Sequence, residues 1–154
     1  MALDNDGKPT DWTDVADLDY SNDDLVGAMT ESMRHWVIVS NIDGFRCDMA
    51  GLVPVDFWEI AIARLKETKP DLFFLAEWED PNYLSVFDMG YSWSLHHMMN
   101  EVAKGEKSPT IFNDYLTKLN TEFAPSNMHM MFTTNHDENS WNGTVFERMG
   151  ENHK

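Results

Sequence analysis

Short apolar runs alternate along this chain with longer stretches whose apolar residues recur at helical spacing. The apolar runs occupy residues 42–48, 71–77 and 128–135, and a weaker one occupies residues 87–93. Short runs that are apolar throughout are typical of strands covered on both faces of a parallel sheet. The pattern therefore predicts four strands, with a short link between the second and third and helices in the other connections.

The stretch that precedes the first strand is amphipathic. Ser21, with Asp24 three residues later, predicts a helix start of the capping-box type. The helix that follows places six apolar residues on one face, namely Leu25, Ala28, Met29, Met33, Trp36 and Val37. An apolar stripe of this kind is typical of a helix that packs on a core.

Helical spacing also predicts helices at residues 55–68, 94–104 and 109–123, and the start of another at residues 144–149. Pro70 ends the first of these helices, because proline cannot continue the hydrogen-bond ladder. The apolar face of that helix consists of Phe57, Ile60, Ala61 and Leu65.

Strands that alternate with helices pair in parallel through crossover helices. The sheet belongs either to an open doubly wound fold or to part of a (β/α)8 barrel, and periodicity does not choose between the two. No Gly/Ser-rich linker interrupts the chain, so residues 1–154 are predicted to form a single unit.

The charge balance excludes two classes of partner. The 154 residues include 27 acidic and 11 basic side chains, for a formal net charge of −16. This charge disfavours nucleic acid and anionic membranes as partners, while it suits neutral substrates or bound cations. Cys47 is the only cysteine in the sequence, so no internal disulfide is expected, and its apolar strand predicts a buried side chain.

Neither a signal peptide nor a membrane span is predicted. Residues 1–11 are polar and acidic, whereas a signal peptide needs an apolar stretch. No later apolar run reaches the length of a membrane-spanning helix. The sequence does not indicate the compartment, and a secreted or periplasmic parent protein is compatible with it.

Three of the predicted strands end on, or are closely followed by, an acid: Asp48, Glu77 and Asp137. Ligands of α/β folds meet the carboxyl ends of parallel strands, so these side chains are expected to converge. Three convergent carboxylates suit either a divalent metal or the cleavage of a glycosidic bond.

The neighbours of these acids favour glycosidic chemistry. Arg46 lies two residues before Asp48, on the same face of the strand, where its charge would keep Asp48 ionised as a nucleophile. Glu77 follows Leu75-Ala76 and precedes Trp78, and burial there would raise its pKa as a general acid requires. Trp78, Trp93 and Trp141 are candidates to stack on a sugar ring, with core packing as the alternative for each.

Four segments resemble the α-amylase superfamily, family thirteen of the glycoside hydrolases. Residues 43–48 (DGFRCD) are similar to its nucleophile strand, and residues 74–77 (FLAE) to its general-acid strand. Residues 132–137 (FTTNHD) resemble the strand that ends in Asn-His-Asp. Residues 15–19 (VADLD) resemble a segment near the end of the family's inserted loop domain, and all four occur in the family's order.

The resemblance implies a TIM barrel and a retaining, two-step mechanism on α-linked glucans such as starch and maltooligosaccharides. Asp48 would be the nucleophile, Glu77 the general acid and base, and Asp137 the stabiliser of the transition state. Arg46 would orient Asp48. The remaining substrate contacts implied are His136, Asn135 and Trp78.

The sequence also departs from the family pattern. Asp17 matches a position that often ligates calcium, the only cofactor that the resemblance suggests, but other ligands of that site are absent. Many members carry Lys-His three and four residues after the nucleophile, where this chain has Gly51 and Leu52. Substrate contacts beyond the cleavage point are therefore expected to differ.

The four segments correspond to the fourth to seventh strands of a barrel that takes about 250 residues when complete. The chain is therefore predicted to be a half-barrel fragment, inactive or weakly active alone, with residues 1–20 as the tail of the inserted domain. Two copies pairing through exposed barrel edges and a non-catalytic carbohydrate-binding domain stay open. A further alternative is a metal-dependent hydrolase that uses Asp48, Glu77, His136 and Asp137.

Overall fold

Four parallel strands form one sheet in which the spatial order follows the chain. The structure is a computed structural model, and it describes residues 8–11 and 15–152. The strands are β1 (Gly44–Cys47), β2 (Phe73–Ala76), β3 (Met89–Tyr91) and β4 (Met128–Met130). The predicted α/β fold with a parallel, barrel-type sheet is confirmed.

Helices connect β1 to β2 and β3 to β4, whereas β2 and β3 are joined by a short link, as predicted. Six helices are described, namely α1 (Asp23–Ser40), α2 (Val55–Thr68), α3 (Trp93–Ala103), α4 (Phe112–Glu122), α5 (His136–Trp141) and α6 (Val145–Met149). Short 3-10 turns lie at Ala50–Leu52, Tyr83–Ser85, Pro109–Ile111 and Gly150–Asn152. The second helix has the predicted bounds, and Lys69-Pro70 follows its end.

The core lies between the sheet and the first two helices. Phe74 of β2 is fully buried, as are Ala61 and Leu65 of α2. Phe45 of β1 stacks on Phe74, with ring centroids 5.7 Å apart. Cys47 is buried beside them, as its apolar surroundings predict. Since alternate residues of a strand face opposite sides, the remaining residues of β1 and β2 face the barrel interior.

Helix α1 begins one residue later than a Ser21 cap would place it. The cap is Asn22, whose side-chain oxygen accepts hydrogen bonds from the backbone N–H of Asp24 at 2.9 Å and of Leu25 at 3.4 Å. The hydroxyl of Ser21 donates instead to Asp19. Both residues are good caps, and extended backbone geometry at Asn22 selects it.

The predicted apolar faces of the first two helices are partly wrong. Trp36 is 56% exposed and Ala28 is also exposed, while Ile60 of α2 is 42% exposed. Thr30 is buried in their place, because its hydroxyl donates to the carbonyl of Val26 at 2.8 Å and so needs no water. The face of α1 in contact with the core is Val26, Met29, Thr30, Met33 and Val37.

The fourth strand is shorter than its apolar run predicts, and an unpredicted helix follows it. Residues 131–135 form a loop, and α5 begins at His136. Asn135 caps this helix by accepting a hydrogen bond from the backbone N–H of Glu138 at 2.7 Å. Asp137 therefore lies in the first turn of a helix and not at the end of a strand. The predicted start at Thr144 is confirmed, with a full capping box to Glu147.

The structure covers the predicted domain tail at residues 1–20 only in part. Residues 1–7 and 12–14 lie outside the described residues, so half of the predicted domain tail at residues 1–20 has no structural account. Residues 15–19 contain neither helix nor strand. In the described part of the chain, every helix is too short or too polar to cross a membrane.

Candidate active site

Parallel pairing of β1 and β2 places two acids side by side. Cys47 pairs with Ala76, the last residue of each strand, so Asp48 and Glu77 both emerge immediately beyond the sheet. The backbone N–H of Glu77 donates to the carbonyl of Cys47 at 3.0 Å, which extends the pairing by one step. The predicted convergence of these two side chains is thus a consequence of register.

One guanidinium bridges the two carboxylates. Arg46 forms an ion pair with Asp48 through Nη1 and another with Glu77 through Nη2, the latter at 2.6 Å. Its Nε donates to the hydroxyl of Tyr91 at 3.4 Å, and its charge lies 5.7 Å from the centre of that ring. Sequence spacing predicts the contact with Asp48, whereas the contacts with Glu77 and Tyr91 arise from the neighbouring strands.

The two acids differ in exposure. The side chain of Asp48 is 73% exposed, while that of Glu77 is 4% exposed. Burial raises the pKa of Glu77, and the nearby charges of Asp48 and Asp137 act in the same direction. A hydrogen bond from the backbone N–H of Met49 at 2.9 Å and the charge of Arg46 oppose this rise without cancelling it. An exposed carboxylate therefore lies beside a buried one with a raised pKa.

Met49 has a role that sequence reasoning missed. Its φ of 42° lies in the left-handed region, which is unusual for a residue other than glycine. This turn directs its N–H at the carboxylate of Glu77. Backbone strain at functional sites leaves no signature in residue type, so the sequence offers no signal for it.

Asp137 approaches the site from helix α5. Its side chain is 43% exposed, and its Oδ2 lies 3.2 Å from Nε2 of His136. Asn135, predicted to contact sugar, uses its side-chain oxygen to cap the helix. The third acid is therefore positioned by a helix start, in which Asn135 serves as the cap.

A groove of about 410 Å³ unites the three acids. Two tryptophans line it, Trp93 and the 83% exposed Trp141. The complete lining is Val15, Asp48, Met49, Glu77, Trp93, Asp137 and Trp141. Acids, apolar groups and flat aromatic faces in one groove suit a ligand that is neutral, hydroxylated and ring-shaped.

Trp78, the predicted sugar contact, is half-buried and does not line this groove. Its ring lies against the core and 6.5 Å from that of Tyr83. A Cβ added to Gly51 would overlap the indole of Trp78. The small residue at position 51 is thus required by Trp78, which gives a physical reason for one departure from the family pattern.

The structure offers little for a metal. Within residues 8–11 and 15–152, no three His, Cys, Asp or Glu side chains are placed so that they could hold one ion. Asp17 lines a separate groove of about 410 Å³ together with Asp19 and Asp23. Within the described residues, Asp17 is thus not part of a group of three such side chains.

The sequence and the structure both match proteins of one family. The family profile for the α-amylase catalytic domain matches residues 10–153. The crystal structure of an α-amylase from Lactobacillus plantarum superposes with a TM-score of 0.76 at 29% identity, covering 88% of this chain and 36% of that one. A noncanonic maltogenic α-amylase, AmyB from Thermotoga neapolitana, gives 0.73 at 36% identity, covering 87% and 32%.

Curated proteins with similar sequences include an α-amylase and a maltosyltransferase. α-Amylase MalA from Haloarcula japonica is 24% identical over 131 residues, which are 83% of this chain and 20% of that protein. An α-1,4-glucan:maltose-1-phosphate maltosyltransferase from Streptomyces coelicolor is 30% identical over 120 residues, 75% of this chain and 17% of that protein. The chain thus spans about one sixth to just over one third of the length of these relatives.

Proposed function

The chain belongs to the α-amylase family of glycoside hydrolases, and on that premise we propose that it carries the carboxylates that cleave α-linked glucans. The observation that carries the proposal is the single Arg46 guanidinium shared by an exposed Asp48 and a buried Glu77. The two acids lie side by side but differ in burial, and the roles of nucleophile and general acid require such different environments.

The proposed reaction is retaining and has two steps. Asp48 attacks the anomeric carbon and forms a glycosyl ester, while Glu77 gives its proton to the departing glycosidic oxygen. Glu77, now a carboxylate, then takes a proton from water, whose oxygen attacks the anomeric carbon, and the bond between that carbon and the Asp48 carboxylate breaks. A shared guanidinium holds the two carboxyl groups close, which favours the retaining separation of about 5–5.5 Å over the wider inverting one.

The other residues of the groove would bind and orient the sugar. Arg46 forms an ion pair with Asp48 and would hold its carboxylate in place for attack. Asp137 and His136 would contact ring hydroxyls, with Asp137 opposite the charge that develops at the anomeric centre. Trp93 and Trp141 offer faces on which a glucose ring can stack.

We extend the proposal to the class of substrate and to the part of the catalytic barrel that residues 1–154 form. The printed names of the relatives concern α-amylases and a maltosyltransferase, so starch and maltooligosaccharides are the proposed substrates, for hydrolysis or transfer. Residues 1–154 would act as one part of a catalytic barrel, with residues 1–20 as the tail of an inserted loop domain. Val15 in the groove lining supports this placement.

The proposed activity needs more than these four strands. A (β/α)8 barrel closes with eight strands, and its loops at the carboxyl ends together build the sugar subsites. We therefore expect this chain alone to turn over glucans weakly or not at all. A test must detect a single chemical event as well as turnover.

Covalent labelling of the nucleophile provides that test. We expect an activated 5-fluoro maltosyl fluoride to add one maltosyl-derived mass to the protein, with the label on the peptide that contains Asp48. Asp48→Asn should abolish labelling, because an amide oxygen cannot form the ester. Mass spectrometry of intact protein and peptides reads both results, with turnover of starch, maltooligosaccharides and sucrose measured in parallel.

Asp43→Asn is the matched control. Asp43 lies in the same motif, is 97% exposed and pairs with Lys69 at 2.7 Å, away from the groove. Its substitution should leave labelling unchanged. Labelling or turnover that survives Asp48→Asn would contradict the proposed nucleophile. Glucan binding without any label would instead favour a non-catalytic carbohydrate-binding domain, for which the exposed Trp141 is the supporting observation.

A further inference from the structure

A buried polar cluster lies behind the groove, between helices α3 and α5. His96 is 0% exposed, and Asn100 and Glu138 are 8% and 7% exposed. Nε2 of His96 lies 3.0 Å from Oε2 of Glu138 and 3.0 Å from the side-chain amide of Asn100. Neither His96 nor Glu138 takes part in the reaction proposed above. Burying both side chains costs free energy unless they are paired.

Each ring nitrogen of His96 faces a hydrogen-bond acceptor. Nδ1 faces the carbonyl oxygen of Phe132 at 3.3 Å, and Nε2 faces the carboxylate of Glu138. Both groups accept hydrogen bonds, and a neutral imidazole has only one N–H to offer. An imidazolium satisfies both acceptors at once.

Asn100 is consistent with the same state. As placed, its Nδ2 faces Nε2 of His96, and its Oδ1 is a buried atom without a hydrogen-bond partner. Oxygen and nitrogen of an amide are nearly isosteric, so a half-turn of the amide exchanges them. After this half-turn the oxygen shares the Nε2–H of His96 with Glu138, and Nδ2 takes the place that has no hydrogen-bond partner.

Glu138 is held as the counter-charge. Burial opposes its ionisation, but hydrogen bonds from His96 and Asn142 and the charges of His96 and Arg148 lower its pKa below the ordinary value. The amide of Asn142 donates to its second oxygen at 3.1 Å. Other charged or titratable groups face the cluster across an adjoining cavity of about 380 Å³, namely His97, Glu101 and Lys104 of α3 and Arg148 of α6.

The cluster is connected to the groove through the backbone of α5 and through packed aromatic rings. Glu138 follows Asp137 directly in the first turn of α5, so holding one carboxylate fixes the backbone that carries the other. His96 stacks on Phe132 with centroids 4.6 Å apart, and Phe132 lies edge-on to Trp93 of the groove at 4.9 Å. Movement of the histidine would therefore displace both the third acid and an aromatic wall.

We propose that His96 is a buried imidazolium whose ion pair with Glu138 positions Asp137 in the groove. The pair joins α3 to the first turn of α5, a helix of only six residues that has little stability of its own. Both residues are positioning residues, since neither lines the groove. The effect on catalysis rests on the proposed function, whereas the state of the pair does not.

The protonation of His96 is measured directly by nitrogen NMR of ¹⁵N-histidine protein, assigned with His96→Gln. In the wild type we expect both ring nitrogens of His96 to be protonated between pH 6 and 8. Glu138→Gln keeps the shape and removes the charge, so His96 should become a neutral single tautomer. A neutral His96 in the wild type overturns the proposal, whether or not any variant folds.

The positioning role has two readouts. In Glu138→Gln, labelling of Asp48 by the fluoro sugar should slow by about 10²-fold, as small misplacements in active sites do. Amide hydrogen exchange in residues 136–141 should accelerate as α5 loosens. The control is Glu122→Gln, the same substitution at an exposed position at the end of α4, which should change neither.

The outcomes separate the two proposals. A wild type that shows no labelling argues against the proposed function, and hydrogen exchange in α5 still decides the positioning role. If His96 becomes neutral in Glu138→Gln and amide exchange in α5 nevertheless stays unchanged in that variant, the positioning role is overturned. Normal labelling in that variant overturns it too, while the proposed function stands.

Discussion

At the scale of single residues, the environment assigns different tasks to chemically similar acids. Asp48 and Glu77 share one guanidinium, yet one is largely exposed and the other is buried. The raised pKa of Glu77 arises mainly from burial, with the neighbouring carboxylates adding to it. A group arranged for proton transfer is expected to cost stability, because the folded state holds it in a setting unfavourable to its charge.

This cost predicts a sign for the pH dependence of stability. The folded-state pKa of Glu77 is raised above the ordinary value of about 4.3, so the native state binds more protons than the unfolded state just above that pH. Its contribution to the free energy of unfolding should therefore fall as the pH rises from about 4.3 through the raised pKa.

Glu77→Gln should remove this decline, since a neutral amide does not titrate and still accepts the N–H of Met49. Urea unfolding of the wild type and the variant between pH 4 and 8 measures the difference. We expect the variant to gain stability relative to the wild type as the pH increases. A constant difference across this range would contradict the raised pKa.

At the scale of elements, local caps decide where helices begin and what they carry. Asn22 starts α1 and Asn135 starts α5, and the second of these caps moves Asp137 from a strand end to a helix start. Apolar runs alone do not reveal such starts, because residues 128–135 have strand-like composition throughout. Pairing with β3 ends at Met130, and residues 131–135 form the loop that leads into the capped helix.

The identity of the first cap is testable. Asn22→Ala should lower the free energy of unfolding by about 1 kcal/mol, since the N–H groups of Asp24 and Leu25 lose their acceptor. Ser21→Ala is the matched control, because Ser21 is exposed and bonds only with Asp19 among the contacts described. Urea unfolding compares the two, and a larger loss for Ser21→Ala would contradict Asn22 as the cap.

At the scale of the whole molecule, the sheet has two open edges. β1 and β4 each have one strand neighbour in the described residues, and a barrel closes only when every strand has two. The interior side of β1 and β2 presents an apolar groove of about 310 Å³, in which Phe73 is 39% exposed. We propose that these surfaces are covered by further strands, and that a second copy of the chain can provide them.

Sedimentation velocity tests the proposed pairing of copies. We expect the chain alone to self-associate as its concentration rises, and more strongly at high salt because the net charge of −16 is then screened. Phe73→Lys should weaken association. Trp36→Lys, on the outer face of α1 and 56% exposed, should leave it unchanged. A chain that stays monomeric at every concentration would contradict pairing.

The sequence by itself determined the class of fold and the identity of the acids. Alternating apolar runs and helical stripes specify parallel strands with crossover helices, because burial period is a local property. Family motifs in their order then identified Asp48, Glu77 and Asp137 as the candidate catalytic residues. The spacing of Arg46 and Asp48 also predicted their contact, since alternate residues share one face of a strand.

Only the tertiary structure decided how these groups act together. The contact of Arg46 with Glu77, the N–H of Met49 on the same carboxylate, and the pairing of His96 with Glu138 join residues 28 to 42 positions apart. Strand register and helix packing set such distances, and neither is encoded at any one position. Trp78 illustrates the limit, because its residue type suits a sugar face or internal packing, and only the structure shows that its half-buried ring lies against Gly51.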